Sequence, residues 1–413
     1  MDAAADTAPR PGPGWGRRWS RRRFVAALGV GQIVAWGTLY YSFPLLAGPM
    51  AAEFGVGKPA VYGAATLGLV VAGLAAYPVG AAIDRGRGRT VMAGGALLAA
   101  LLLCAWSFAG GLWTLYPLFA GIGLAQAMTL YEPAFAVVAQ RYGADARAGI
   151  TALTLWGGFA STVFVPLIQL LIDHAGWRGT LLALAALTLL FAALPNRLAI
   201  DADAPAPAAA PMAGRQAVGW ALRRPAFWGL AVAFTVYYGV FSGLTFHLYP
   251  LLLERGYDAA TVVGAIAVVG PAQVAGRVAV WLLASRRSIR AVGAITVLGL
   301  PVALLLLLAL PAGFASLAVF AVVYGAANGV MTIVRGLAVP EMLTPEAYGA
   351  INGALALPSI IAKAAAPLAA AVLWQAAGSY DAVLLAALAG SLIVALGFWS
   401  AALCRPTGSQ AGA

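Results

Sequence analysis

Charge is scarce in this 413-residue chain. Asp, Glu, Lys and Arg make up 9% of it, where soluble domains carry about a quarter. Cysteine and histidine are nearly missing, with two of each: Cys104, Cys404, His174 and His247. Two thiols exclude a disulfide scaffold and a thiolate metal site, and two distant histidines offer no metal centre. No metal and no cofactor is therefore expected. What fills the chain is 62% hydrophobic residues, 49 Gly and 24 Pro, at a mean hydropathy of +0.89. That composition excludes an ordinary soluble enzyme, a disordered chain and a coiled coil, and requires most of the chain to face lipid or other membrane helices.

Apolar stretches of about 18 residues or more recur along the chain. They cover 24–50, 59–83, 90–109, 113–140, 148–173 and 180–196, then 226–253, 261–284, 291–311, 314–337, 349–373 and 382–403. At this hydrophobicity only helices satisfy their backbone groups locally. The expected fold is an all-α integral membrane protein of twelve transmembrane helices.

Formal net charge is +11, a value that elsewhere suggests nucleic acid. With the N-terminus placed inside, 19 of the 25 Lys and Arg fall on inside segments, 3 on outside loops and 3 within helices. The positive-inside rule thus accounts for the charge without a nucleic-acid partner. Both termini are expected in the cytoplasm, with the protein multi-pass in the plasma membrane. The basic arm 1–23 precedes an apolar stretch too long for a signal peptide, so it reads as a cytoplasmic arm before a retained helix.

The longest break, 197–225, contains the Ala/Pro/Asp-rich run Asp201–Arg215 and reads as a cytoplasmic linker. It separates a first six-helix bundle, 24–196, from a second, 226–403, with a tail at 404–413. The halves are weakly alike. MTLYE ending at Glu132 matches MTIVR ending at Arg335, 203 residues on, FPLL at Phe43 resembles YPLL at Tyr249, and Arg85 and Arg89 recur as Arg286 and Arg290. Shared order and offset suggest internal duplication, the common architecture of secondary transporters. Chance similarity among Ala/Leu/Gly-rich helices is the competing explanation.

After the second span the chain reads GAAIDRGRGRTVM, from Gly80 to Met92. Gly80, Asp84, Arg85, Gly88 and Arg89 match G-x-x-x-D-R-x-x-G-R, and the chain on this basis resembles the major facilitator superfamily over residues 24–403. The resemblance implies two pseudo-symmetric six-helix bundles that alternate access to a central site. It also implies that Asp84, Arg85 and Arg89 form a clasp between the halves. The second copy keeps basic residues but not the Gly and Asp. Helix 4 has no early Arg and helix 5 no G-P-x-x-G-G run, which departs from the drug/proton antiporters. The chain is more similar to the monocarboxylate and oxalate/formate branch, in which basic residues on helices 8 and 11 engage a carboxylate. Arg277 in VAGRVAV and Lys363 in IIAKAAAP stand on those helices.

Physical chemistry asks the same of these residues. A charge at mid-membrane costs about 2.5–3.5 kcal/mol on insertion scales and normally faces a partner or a wet cavity. Two cations facing one cavity make an anion receptor, and the guanidinium fork suits a carboxylate; structural pairing or snorkelling is the other reading. Glu132 is the carboxylate well within the first half, placed to carry protons or gate. Arg335, its repeat counterpart, is placed to pair with it. Aromatics cluster on helices 1 and 7, among them Tyr40 and Tyr237, and line the site or belt the interface. Asn328 is placed to hydrogen-bond substrate or a neighbouring helix. His247 lines the cavity or packs between helices.

The chain is thus expected to be a secondary transporter rather than an enzyme, moving a small organic anion such as a monocarboxylate. Arg277, Lys363, Tyr40, Tyr237 and Asn328 would bind it, and Glu132, Arg335, Asp84, Arg85 and Arg89 would couple or gate. Proton-coupled efflux of drugs or metabolites is the alternative. Expected partners are the solute, protons and membrane lipid, with the protein a monomer and no P-loop for ATP.

Overall fold

The structure, a computed structural model, describes residues 20–142, 146–201, 214–283, 287–309, 313–344 and 348–404. The basic arm, most of the linker, Arg286 and the tail beyond Cys404 lie outside the described residues. Among those described, the chain is helical throughout, and eleven helices are long and apolar enough to cross a membrane. One of them, Ala152–Ala199, runs for 48 residues. At 1.5 Å per residue this is about twice the thickness of a bilayer core. Gly176 breaks it with φ 65° and ψ 177°, a left-handed φ that a side chain would strain. The second half repeats this device 202 residues later, where Gly378 (φ 74°) separates its last two helices. The 48-residue run is therefore two crossings joined at a glycine, which brings the crossings among the described residues to twelve.

The crossings are α1 (Arg21–Phe54), α2 (Lys58–Ala82), α3 (Gly88–Trp106), α4 (Leu112–Tyr142), α5 (146–175) and α6 (177–199). Then come α7 (Pro225–Glu254), α8 (Ala259–Leu283), α9 (Ile289–Ala309), α10 (Phe314–Met342), α11 (Tyr348–Ala377) and α12 (Tyr380–Leu403). A short helix, Gly214–Leu222, precedes α7. With twelve crossings, α1 begins and α12 ends at the same face.

The duplication extends to side chains at the opposite face. Gly55 (φ 63°) ends α1 and Gly256 (φ 87°) follows α7, 201 residues apart. Glu53 accepts from Trp177 Nε1 at 2.6 Å and pairs with Arg178 at 2.5 Å. Its counterpart Glu254 accepts from Trp374 Nε1 and the Tyr380 backbone, both at 2.7 Å. Each half thus ties the end of its first helix to the turn before its last.

Prolines join one half to the other. Pro250 has no N–H to give the Phe246 carbonyl, and Tyr62 of α2 donates to that oxygen at 3.0 Å. Likewise Pro271 leaves the Ala267 carbonyl free, and Thr162 of α5 donates to it at 2.8 Å. Tyr249 of α7 donates to Gln169 of α5 at 2.6 Å. These bonds fasten the halves toward the face opposite the termini.

Candidate functional site

The centre is built on two interrupted helices of the first half. α1 widens into a π-turn at Gly37–Tyr41, where Pro44 gives no N–H to the Tyr40 carbonyl. α4 breaks at Leu130, whose backbone is extended. The two interruptions satisfy each other. Gln126 of α4 donates to the Leu39 carbonyl at 2.7 Å, and Gln32 of α1 donates to the Thr129 carbonyl at 2.7 Å. Both side chains are buried. The result is a rigid aromatic platform: the Trp36 ring lies 5.2 Å from Tyr40, 5.1 Å from Tyr131 and 6.5 Å from Tyr41.

Two of the three intramembrane cations of the second half, Lys363 and Arg277, face this platform. The Lys363 ammonium stands 5.5 Å from the Tyr40 ring and 5.9 Å from the Trp36 ring. It makes no hydrogen bond or ion pair with any described residue. Pro367 lies one turn on and has no N–H for the Lys363 carbonyl, so α11 is loosened at this residue. Arg277 reaches across the halves, donating from Nη1 to the Thr154 carbonyl at 2.9 Å and from Nε to Gly329 in its own half at 3.3 Å. Tyr41, Tyr131 and Tyr237 lie within its electrostatic reach. Cation–ring contacts of this kind are worth about 0.5–2 kcal/mol, less than an ion pair of good geometry would supply in such a site.

Polar donors complete the surface. Trp36 Nε1 is buried and has no acceptor among the described residues, whereas the Tyr40 hydroxyl lies against Ser242 and the Asn328 amide against Tyr324 without a well-formed hydrogen bond. Tyr237 donates to Asn328 Oδ1 at 2.9 Å, which turns the amide nitrogen away from that bond. Glu132 follows the α4 break, is exposed, and makes no hydrogen bond or ion pair with any described residue. It acts electrostatically on Lys363 and Tyr238 of the second half. Arg335 is engaged elsewhere in this conformation: its guanidinium donates to Asn352 Oδ1 and stands 4.8 Å from the Phe234 ring. Arg335 and Glu132, expected as a pair, are not paired here, because Asn352 of the neighbouring α11 offers a nearer acceptor.

The other expected residues divide. The Ile83–Arg87 turn after α2 is a π-turn with Gly86 left-handed at φ 84°, and Gln140 of α4 donates to Ile83 at 2.9 Å. Arg85 is exposed there and Arg89 half-buried, while the Asp84 side chain lies outside the description. His247 is fully buried and both nitrogens are used: Nε2 donates to the Pro367 carbonyl at 2.8 Å, and Nδ1 meets the Tyr380 hydroxyl at 2.9 Å. It packs the opposite face under Tyr62, stacked at 4.2 Å. Gln32, Tyr131, Thr162 and Tyr62 escaped sequence reasoning. Pro250 and Pro271 were the signals for the last two, since each marks a carbonyl four residues earlier that another helix must satisfy.

Residues 28–310 match the model of the Major Facilitator Superfamily. Human monocarboxylate transporter 11 is 37% identical over 243 residues, 55% of this chain and 50% of that protein. The chain therefore spans about half the length of that relative. Monocarboxylate transporter 13 of Rattus norvegicus is 29% identical over 416 residues, covering 93% of this chain and 88% of the relative. Among solved structures, a bacterial homologue of the human lysosomal transporter Spinster, inward-facing and unoccupied, aligns with TM-score 0.68 at 15% identity over 94% of this chain and 98% of that one. The nucleoside transporter NupG aligns with TM-score 0.69 at 14% identity, over 94% and 100%.

Proposed function

This chain belongs to the Major Facilitator Superfamily, a membership that makes it a membrane transporter, and from it and the geometry of its centre we propose that it moves a small organic anion of the monocarboxylate class by alternating access. The observation that carries the reading is Lys363: an intramembrane ammonium against the ring faces of Trp36 and Tyr40, in no ion pair with a described residue, with the Trp36 N–H lacking an acceptor. Donors without acceptors call for an acceptor-rich ligand. With Glu132 ionised, Arg277, Lys363 and Glu132 leave one net positive charge, which a monoanion neutralises. The named similarity to monocarboxylate transporters supports the same class.

In this mechanism the solute enters from the face that bears the termini. Its carboxylate takes the Lys363 ammonium and draws Arg277, because a charge-assisted bond to carboxylate is stronger than one to a carbonyl. Arg277 then gives up Thr154, which lies on the other half. Binding thereby loosens a bond between the halves and lets them rock, with Asp84, Arg85 and Arg89 setting the equilibrium. The protein acts as a monomer in the plasma membrane with both termini cytoplasmic. Exposed and unpaired, Glu132 supports a second reading in which a proton carried there drives efflux of drugs or metabolites.

Purified protein tests this by thermal unfolding across small carboxylates and lipophilic amines, beside Lys363→Gln and Arg277→Gln. A ligand that binds only the folded state raises the midpoint by mass action. Carboxylates should raise the wild-type midpoint and neither variant's. Stabilisation by amines alone, equal in all three proteins, would replace the anion reading with efflux.

A further inference from the structure

Beyond the cations lies a largely apolar cavity between the two halves. Tyr41, Leu45, Phe241, Ile266, Val269 and Tyr324 are among the residues of its wall, with Gln273 as the polar member nearest the cations. Gln273 stands one helical turn from Arg277, on the same face of α8, and Tyr41 belongs both to this wall and to the surroundings of Arg277. The cavity therefore continues the cation site toward the face opposite the termini. There it is closed, because Tyr249, itself in the wall, donates to Gln169 across the halves at 2.6 Å. The wall carries no charged residue. A two- or three-carbon carboxylate held at Lys363 and Arg277 would leave the apolar part of this wall to water.

We propose that the cavity is a body subsite, and that the transported anion is an amphipathic monocarboxylate with an aryl or branched-alkyl body rather than a short hydroxy- or keto-acid. The proposal rests on the anion reading above and deepens it. The carboxylate stays at Lys363 and Arg277 while the body enters the closed end first. Rings on three sides (Tyr41, Phe241 and Tyr324) suit an aryl body, which they meet edge-on or offset. A wall that is mostly apolar with few polar anchors suits a ligand with an apolar body rather than acetate. Each methylene buried is worth about fourfold in affinity, so the subsite discriminates by length without a further polar contact.

The experiment measures dissociation constants of purified full-length protein in detergent for acetate, pyruvate, isovalerate, phenylacetate and 3-phenylpropionate. Two variants are run beside it: Val269→Phe, which fills the cavity, and Phe241→Ala, which enlarges it. Both are checked for a cooperative melt and a single gel-filtration peak. The expected wild-type result is affinity rising at least tenfold from acetate to phenylacetate. Val269→Phe should flatten that series while leaving acetate within twofold, and Phe241→Ala should move the optimum to the longer acid. Equal affinity for all five acids in wild type overturns the subsite and leaves the anion site standing. Binding of none of them, with intact folding, overturns both. A size series that neither variant alters places the body elsewhere and overturns the assignment of this cavity.

Discussion

A single indole plays two roles at the centre. Trp36 presents its ring to Lys363 and its N–H to no described acceptor. Trp36→Phe keeps an aromatic face and removes the donor. A hydrogen bond to a charged group contributes about 1.5–3 kcal/mol, so carboxylate affinity should fall at least about tenfold with little change in melting temperature. Isothermal titration checks this, and an unchanged affinity would mean that the N–H is not aimed at the ligand. Gly86 makes a second case. Its φ of 84° costs a non-glycine residue about 1–2 kcal/mol, so Gly86→Ala should lower the melting temperature by several degrees, whereas Gly80→Ala, where φ is ordinary and the added methyl meets nothing within 4 Å, should not. Among the residues flagged from the sequence, Arg277, Lys363, Glu132 and Arg335 stood out because a charge is anomalous in a membrane. Their partners were not legible, because a partner such as Asn352 or Thr154 is an ordinary residue until the fold brings it near.

Helices here are legible as lengths, and their interruptions only through the prolines that follow them. Composition alone separates twelve apolar runs, and the polar cluster Asp173–Arg178 marks the α5–α6 turn that helical geometry nearly conceals. The break at Leu130 is announced by Pro133, which has no N–H for the Thr129 carbonyl. What the sequence does not show is that Gln32 supplies the missing bond from another helix. Replacing Gln32 or Gln126 by Leu leaves a buried carbonyl unsatisfied, at about 1–3 kcal/mol each. Either variant should melt at lower temperature and lose carboxylate binding further, because the platform of Trp36, Tyr40 and Tyr131 is then no longer held. A helix start gives the pH-dependent case. Asp258 caps α8, accepting from Thr261 Oγ1 at 2.6 Å and Thr261 N at 2.9 Å, and these bonds hold its carboxyl below the ordinary aspartate range. A lowered folded value means that the contribution is present at neutral pH and lost as pH falls through that lowered value. The difference in melting temperature between wild type and Asp258→Asn should accordingly shrink below about pH 4.

The two halves are one plan used twice, seen in Gly55 and Gly256, Gly176 and Gly378, and Glu53 and Glu254. A near-constant offset near 200 was visible in MTLYE and MTIVR, but their likeness predicted a symmetric meeting of Glu132 and Arg335 that this conformation does not make. Symmetry specifies equivalent positions and leaves contacts between them to the state of the cycle. The far-face closure gives the test. With spin labels on Gly57→Cys and Ala260→Cys in a protein whose two native cysteines are Ser, adding Tyr62→Phe and Thr162→Val should lengthen the label distance and broaden its distribution. An unchanged distribution would show that the closure does not depend on the carbonyls at Phe246 and Ala267. Those two oxygens also bear on how such a molecule is allowed to move. While the far face is shut, a hydroxyl from the opposite half serves each of them; once it opens, neither helix can serve its own, and lipid cannot serve them at all. Opening and wetting are then one event. A dry, half-open state has two bare carbonyls and is sparsely populated for that reason, so the chain passes from sealed to flooded with little in between, and leakage of small ions through a partly opened seam is suppressed by the same prolines that bend the helices.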